Sequence, residues 1–208
     1  MEHIKSLILV RECEFLDFKF DMYNIFHTNN NARILNRQEF LRDVLSLVNI
    51  KRTEEVFKKS YLIIGLDENN GIYNGNHMHI DFNDFLTLTH IIQTYISPSL
   101  TAEFEEYFIM GDENNILLSK SPVSNFDRII MIIFTRKISD VYEIKKEYGN
   151  KRVGLLRVGE SYTRDGSSKR RITESDRIII RSLKNIDLTL KFKEGNQKFE
   201  IIEYKRNL

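Results

Sequence analysis

The chain has a single cysteine, Cys13, only two prolines, and no run of about 18 or more apolar residues. One cysteine excludes an internal disulfide and leaves no ligand set for a cysteine-based zinc site. The missing apolar run excludes a membrane-spanning helix. The early run Leu7–Val10 is short and soon followed by charge, unlike a signal peptide. Together these absences lead to the expectation of a cytoplasmic protein in a reducing compartment. No G-x-x-x-x-G-K-[ST] loop is present, which weighs against a nucleotide-binding domain of that type. Charge of one sign is also lacking in total: 31 Lys and Arg against 30 Asp and Glu give +1. Any electrostatic signal therefore lies in how charge is distributed. The 208 residues, 41% hydrophobic and 29% charged, suit one soluble domain with a buried core. The expected division is a main domain over 1–184 and a C-terminal β-hairpin over 185–208.

Arg11 to Phe20 reads R-E-C-E-F-L-D-F-K-F. Glu12, Glu14, Asp17 and Lys19 are interleaved with Phe15, Leu16, Phe18 and Phe20, a pattern for a half-buried strand. Carboxylates held on rigid backbone beside a core suit a hard cation such as Mg²⁺ or Mn²⁺. An ordinary amphipathic strand with an acidic edge has the same pattern. Asp17 and Lys19 share strand parity, so both face one side. Glu12 has the opposite parity, and joining them requires a bulge or a bend near Cys13–Glu14.

The remaining elements follow from periodicity and punctuation. Asp21–Asn36, with Asn29–Asn31, reads as a loop. Asn36 with Glu39 approximates a capping box for a helix from about Arg37 to Asn49, carrying Phe40, Val44, Leu47 and Val48. Tyr61–Leu66 is a buried strand, with Asp67 where it gives way to the turn Glu68–Gly71. A carboxylate there can face a cleft or simply start the turn. His77 and His79 lie in a polar loop without a third ligand. Asp81 or Asn83 caps a second helix ended by Ser97-Pro98. Thr101–Met110 is a strand, Gly111–Asn115 a turn, and Ile116–Asn125 an excursion. Arg128–Thr135 is a central strand and Leu155–Thr163 a further one. Thr173 with Asp176 opens a third helix, from Glu174 to about Lys184. The tail alternates as a hairpin, with its turn at Glu194–Gln197.

Lys151–Arg171 carries Lys151, Arg152, Arg157, Arg164, Lys169, Arg170 and Arg171 against Glu160 and Asp165. That is 7 − 2 = +5, the charge footprint of nucleic-acid contact or of a solvated basic loop. Lys145 and Lys146 extend the basic set toward the N-terminus.

The ordered pieces E-C-E-F-L-D-F-K, N-R-Q-E-F-L-R-D-V-L-S-L-V-N, Y-L-I-I-G-L-D with G-I-Y-N-G, Y-I-S-P-S-L, Y-E-I-K-K-E-Y-G and Y-T-R-D-G-S-S resemble the Schlafen AlbA-type domain. The resemblance covers roughly Glu12 to Arg177. It implies an α+β fold with a mixed, largely antiparallel sheet flanked by helices, and it implies nucleic-acid binding. Some Schlafen members are similar to metal-dependent endoribonucleases that cut tRNA or rRNA with three carboxylates. Carried over, those carboxylates are Glu12, Asp17 and Asp67, with Lys19 beside them and Mg²⁺ or Mn²⁺ as cofactor. Asp17 departs from the family pattern, where Glu is usual. Lys145, Lys146, Arg164, Lys169, Arg170 and Arg171 are the expected nucleic-acid contacts. The expected partner is a nucleic acid, with RNA favoured and DNA possible. Because animal Schlafens resemble two such lobes around a basic cleft, a homodimer is also expected. The alternative function is a non-catalytic DNA- or RNA-binding regulatory module.

Overall fold

The computed structural model describes residues 2–9, 12–51, 58–66, 82–112, 115–137, 140–183, 186–189 and 203–206. Helix α1 (Glu2–Ile8) precedes strand β1 (Leu16–Lys19), helix α2 (Asn30–Val48) and strand β2 (Lys59–Ile64). Then come α3 (Phe82–Tyr95), β3 (Ile96–Ser97), β4 (Thr101–Asp112), β5 (Asn115–Ser119) and β6 (Asp127–Thr135). Short strands follow: β7 (Glu143–Ile144), β8 (Tyr148–Asn150), β9 (Gly154–Leu156), β10 (Tyr162–Asp165) and β11 (Ser168–Arg171). The described chain closes with α4 (Glu174–Ser182), β12 (Ile186–Thr189) and β13 (Glu203–Arg206).

The fold is α+β. Its main sheet has the order β1-β2-β6-β4-β5. Among the described residues of this sheet, β1 and β2 are parallel, joined across α2, and its other ladders are antiparallel. Alternation along the strands sorts side chains into two cores. Leu62, Ile64, Ile130, Ile132 and Phe134 pack with Phe40, Leu41, Val44 and Leu45 of α2 and with Leu88, Ile91 and Ile92 of α3. Tyr61, Ile63, Ile129, Met131 and Ile133 pack with Ile4, Leu7 and Ile8 of α1. A sheet covered on both faces needs apolar residues in continuous runs. The segment R-I-I-M-I-I-F-T of β6 meets that need. Each fully buried aliphatic or aromatic side chain contributes about 1.5–3 kcal/mol. In β1, Leu16 and Phe18 belong to the α1 side, so Asp17 and Lys19 face α2.

Several elements differ from the sequence reading. The asparagine run is not a loop. Asn29 is the N-cap of α2, and its side-chain oxygen accepts from the backbone N–H groups of Asn31 (2.9 Å) and Ala32 (3.2 Å). Asn36 lies inside the helix and donates to the Ala32 carbonyl. Asparagine is a weak helix former and a strong cap, so the first of the run decides the start. Leu155–Thr163 is not one strand: Gly159, at φ 82°, turns the chain between β9 and β10. The excursion after β4 contains β5, and Gly111–Asp112 belong to β4. The first residues form α1. The α4 capping box is present in full, between Thr173 and Asp176. In the tail, β12 pairs with β13 antiparallel, while Glu194–Gln197 lies outside the described residues. His77 and His79 also lie outside them.

One buried residue fastens the smaller strands to the end of α2. Asn49 caps the C-terminus of α2. Its side-chain nitrogen donates to the Tyr142 carbonyl (2.8 Å), the Ser161 Oγ (2.8 Å) and the Tyr162 carbonyl (3.1 Å). Its Oδ1 accepts from the Tyr142 N–H (2.8 Å), and its carbonyl accepts from the Thr163 hydroxyl (2.6 Å). These bonds hold β10 along the end of α2 and set the next residue, Arg164, over β1.

Candidate functional site

Strand β1 begins abruptly. Cys13 and Leu16 exchange backbone hydrogen bonds at 3.0 and 3.3 Å, closing a tight turn before the strand. The turn folds Glu12 back alongside β1, and its Oε1 accepts from the Phe18 N–H at 2.8 Å. This is the bend that the parity of Glu12 required. Glu12 and Asp17 now meet at one guanidinium: Arg164 Nη2 is 2.9 Å from Asp17 Oδ1 and 3.7 Å from Glu12 Oε2. Lys19 Nζ lies 2.8 Å from Asp17 Oδ2.

Helix α2 adds two carboxylates. Glu39 and Asp43 stand one turn apart. Lys169 reaches both, at 2.5 Å from Asp43 Oδ1. The Tyr23 hydroxyl donates to Asp43 Oδ2 at 2.5 Å, and Lys19 approaches the same oxygen at 3.9 Å. Arg164 and Lys169 are cross-strand partners in the β10–β11 hairpin. Like charges opposite one another repel, and here each has carboxylates beneath it. The result is an alternating chain: Glu39, Lys169, Asp43, Lys19, Asp17, Arg164, Glu12. Sequence reasoning missed Glu39, Asp43 and Tyr23. The signal for Asp43 was its position three residues after Phe40 and four before Leu47, on the stripe the helix buries.

Solvent reaches the cluster unevenly. The side chains of Asp17 and Arg164 are 1% and 4% exposed, while Glu12 and Lys19 keep 16% and 31%. Burial disfavours the charged form of Asp17, but Arg164 and Lys19 outweigh it and hold the carboxyl below its ordinary value. Burial opposes the charge of Lys19 as well, and Asp43 and Asp17 overcome it, raising the ammonium pKa. Asp43 goes the other way: burial wins over Lys169 and Lys19, and its pKa is raised. Burial and the Asp43 carboxylate together push the Tyr23 hydroxyl well above its usual range.

The other expected contacts are placed as follows. Arg170 pairs with Asp165 and, at 2.6 Å, with Asp176. Arg171 pairs with Glu160. Lys145 is exposed and donates to the Gln93 carbonyl at 2.6 Å, and Lys146 is exposed. Asp67 lies outside the described residues. Among the described residues, no three His, Cys, Asp or Glu side chains form a metal-holding group. Glu12 and Asp17 nonetheless fit a hard cation in donor type, since both offer carboxylate oxygens beside one point. A cation held there competes with Arg164 and Lys19 for those oxygens. No helix among the described residues is long and apolar enough to cross a membrane. In comparison with known proteins, the chain matches no family model and no curated sequence.

Proposed function

We propose that this chain is a nucleic-acid-processing domain of the Schlafen AlbA type, acting as a metal-dependent endoribonuclease on structured RNA. One observation carries the reading: the Cys13–Leu16 turn brings the Glu12 and Asp17 carboxylates to one point, with the partly exposed Lys19 beside them. Glu12 and Asp17 hold Mg²⁺ or Mn²⁺, with Asp67 as the third carboxylate. The bound ion supplies Lewis acidity toward a phosphodiester. Lys19 faces solvent enough to meet a phosphate oxygen and stabilises negative charge developing there. Asp43 and Asp17 favour the charged form of Lys19, and Asp17, at 2.8 Å, fixes its position. Following the resemblance, the working assembly is a homodimer, and light scattering at the mass of one chain contradicts that part.

The second reading, a non-catalytic RNA- or DNA-binding module, draws on Arg164. A guanidinium seated on both carboxylates neutralises the oxygens a metal needs. Incubation with total tRNA, Mn²⁺ or Mg²⁺, with and without EDTA, separates the two. The nuclease reading expects metal-dependent cutting that falls at least about a hundredfold in Asp17→Asn and Asp67→Ala. Salt-sensitive RNA binding by the parent without cutting supports the binding module instead.

A further inference from the structure

From Arg164 to Arg177 the cations are committed within the fold. Arg164 sits on Asp17, Lys169 on Glu39 and Asp43, Arg170 on Asp165 and Asp176, Arg171 on Glu160, and Arg177 on Glu143. Phosphate contact at these positions requires breaking an ion pair. A second group of cations is placed differently. Segment 145–157 has five Lys and Arg against one carboxylate, Glu147. Its β8–β9 turn presents Lys151 and Arg152, both exposed. The turn is fastened to α2: Asn150 donates to the Asn31 side chain at 3.2 Å, and the buried Gln38 donates to the carbonyls of Tyr148 (3.1 Å) and Gly154 (3.0 Å). Gly149 permits that approach, because a Cβ there would lie 2.2 Å from the Gly154 carbonyl oxygen.

Arg33 and Arg37 of α2 come near the Tyr148 hydroxyl, Arg37 within hydrogen-bond reach, and their charges oppose the burial that raises its pKa. Arg33 hydrogen-bonds Asn30 and Arg37 hydrogen-bonds the Ile25 carbonyl, both neutral groups. Among the described residues, no carboxylate is ion-paired with Arg33, Arg37, Lys151 or Arg152. The Tyr148 ring packs against Tyr95 at 4.7 Å between centroids, and the Lys145 N–H donates to the Tyr95 carbonyl. The patch is thus a rigid surface with an excess of cations and a half-buried aromatic pair.

We propose that the β8–β9 turn with Arg33 and Arg37 of α2 is the docking surface for the phosphodiester backbone of a nucleic acid. The inference rests on the nucleic-acid reading above and moves its contact surface from Lys169–Arg171 to this patch. Point charges on phosphates fix the strand without reading bases, so binding is indifferent to sequence. Each phosphate contact releases counterions, so binding weakens steeply with salt.

The test is fluorescence anisotropy with a labelled single-stranded RNA, and the same sequence as DNA, in EDTA across a salt series. Lys151→Gln/Arg152→Gln and Arg33→Gln/Arg37→Gln are compared with the parent, with circular dichroism to verify folding. Each double variant is expected to bind about tenfold more weakly at low salt, with the log–log salt slope reduced by about 0.7 for each phosphate no longer neutralised. Equal weakening on RNA and DNA fits contact to the shared backbone, and weakening on RNA alone adds a 2′-hydroxyl contact to it. Lys151 and Arg152 are exposed, so that variant decides the matter if the α2 variant misfolds. Parent-like affinity and slope in the Lys151/Arg152 variant overturn the proposal, as does a parent that binds neither strand. Binding that depends on this patch without metal-dependent cutting counts against the nuclease reading alone. Metal-dependent cutting with binding unchanged in the variants counts against this surface alone.

Discussion

Asp17 is a carboxylate with almost no solvent, held by two cations. Isolated, it would cost several kcal/mol to bury; paired, it fixes three elements at one point. Arg164→Gln removes one partner and leaves Asp17 with Lys19 alone. The expected loss is about 3–5 kcal/mol in urea denaturation. Asp17→Asn added to that variant should recover part of the loss, because the uncompensated charge is gone. A double variant no more stable than Arg164→Gln contradicts the pairing. At this scale the sequence was partly legible. Strand parity placed Asp17 and Lys19 on one side, and the parity of Glu12 demanded the bend that Cys13–Leu16 makes. The partners of Arg164 and Lys169 were illegible: Asp17 and Asp43 lie 147 and 126 positions away and become neighbours only through tertiary packing.

The elements owe their boundaries to a few polar side chains. Asn29→Ala removes the acceptor for two orphan N–H groups of α2 and should cost about 1 kcal/mol. Thr173→Ala should cost a similar amount at α4. Asn49→Ala is expected to cost more, at least about 2 kcal/mol, because it strands the buried Tyr142 N–H. Thermal or urea unfolding of the three variants checks the order, and Asn49→Ala as the mildest contradicts it. Where one signal dominated, the sequence showed the element: the apolar run gave β6, and Thr173 with Asp176 gave the start of α4. Where two signals competed it did not. Three asparagines resemble a loop, although the first is a strong cap. The alternating pattern from Leu155 to Thr163 conceals a turn that depends on the positive φ of Gly159.

For the molecule as a whole, the buried and paired carboxylates determine how stability follows pH. Arg170 and Lys51 hold the Asp176 carboxyl well below the ordinary carboxylate range, although burial opposes its charge. Burial opposes the charge of Asp17 as well, but Arg164 and Lys19 together outweigh it and lower its pKa. In the folded state these groups take up protons less readily than in the unfolded state. Their stabilisation is complete above the unfolded value near about 4 and is lost as pH falls below it. Asp43, raised by burial, has the opposite sign and offsets part of that loss. Urea midpoints should therefore drop as pH falls below about 5, and Asp176→Asn should flatten the acid limb. An acid limb as steep in that variant as in the parent contradicts the assignment.

The α+β architecture brings α2, the β10–β11 hairpin and the first strand of the sheet to one cluster. The central claim is that Glu12 and Asp17 in that cluster serve one divalent ion. Titration of the folded protein with Mn²⁺, followed by electron paramagnetic resonance of the free ion, tests it directly. The account predicts one bound Mn²⁺ in the parent and loss of that binding in both Glu12→Gln and Asp17→Asn. A parent that binds no Mn²⁺, or variants that bind it as the parent does, contradicts the claim.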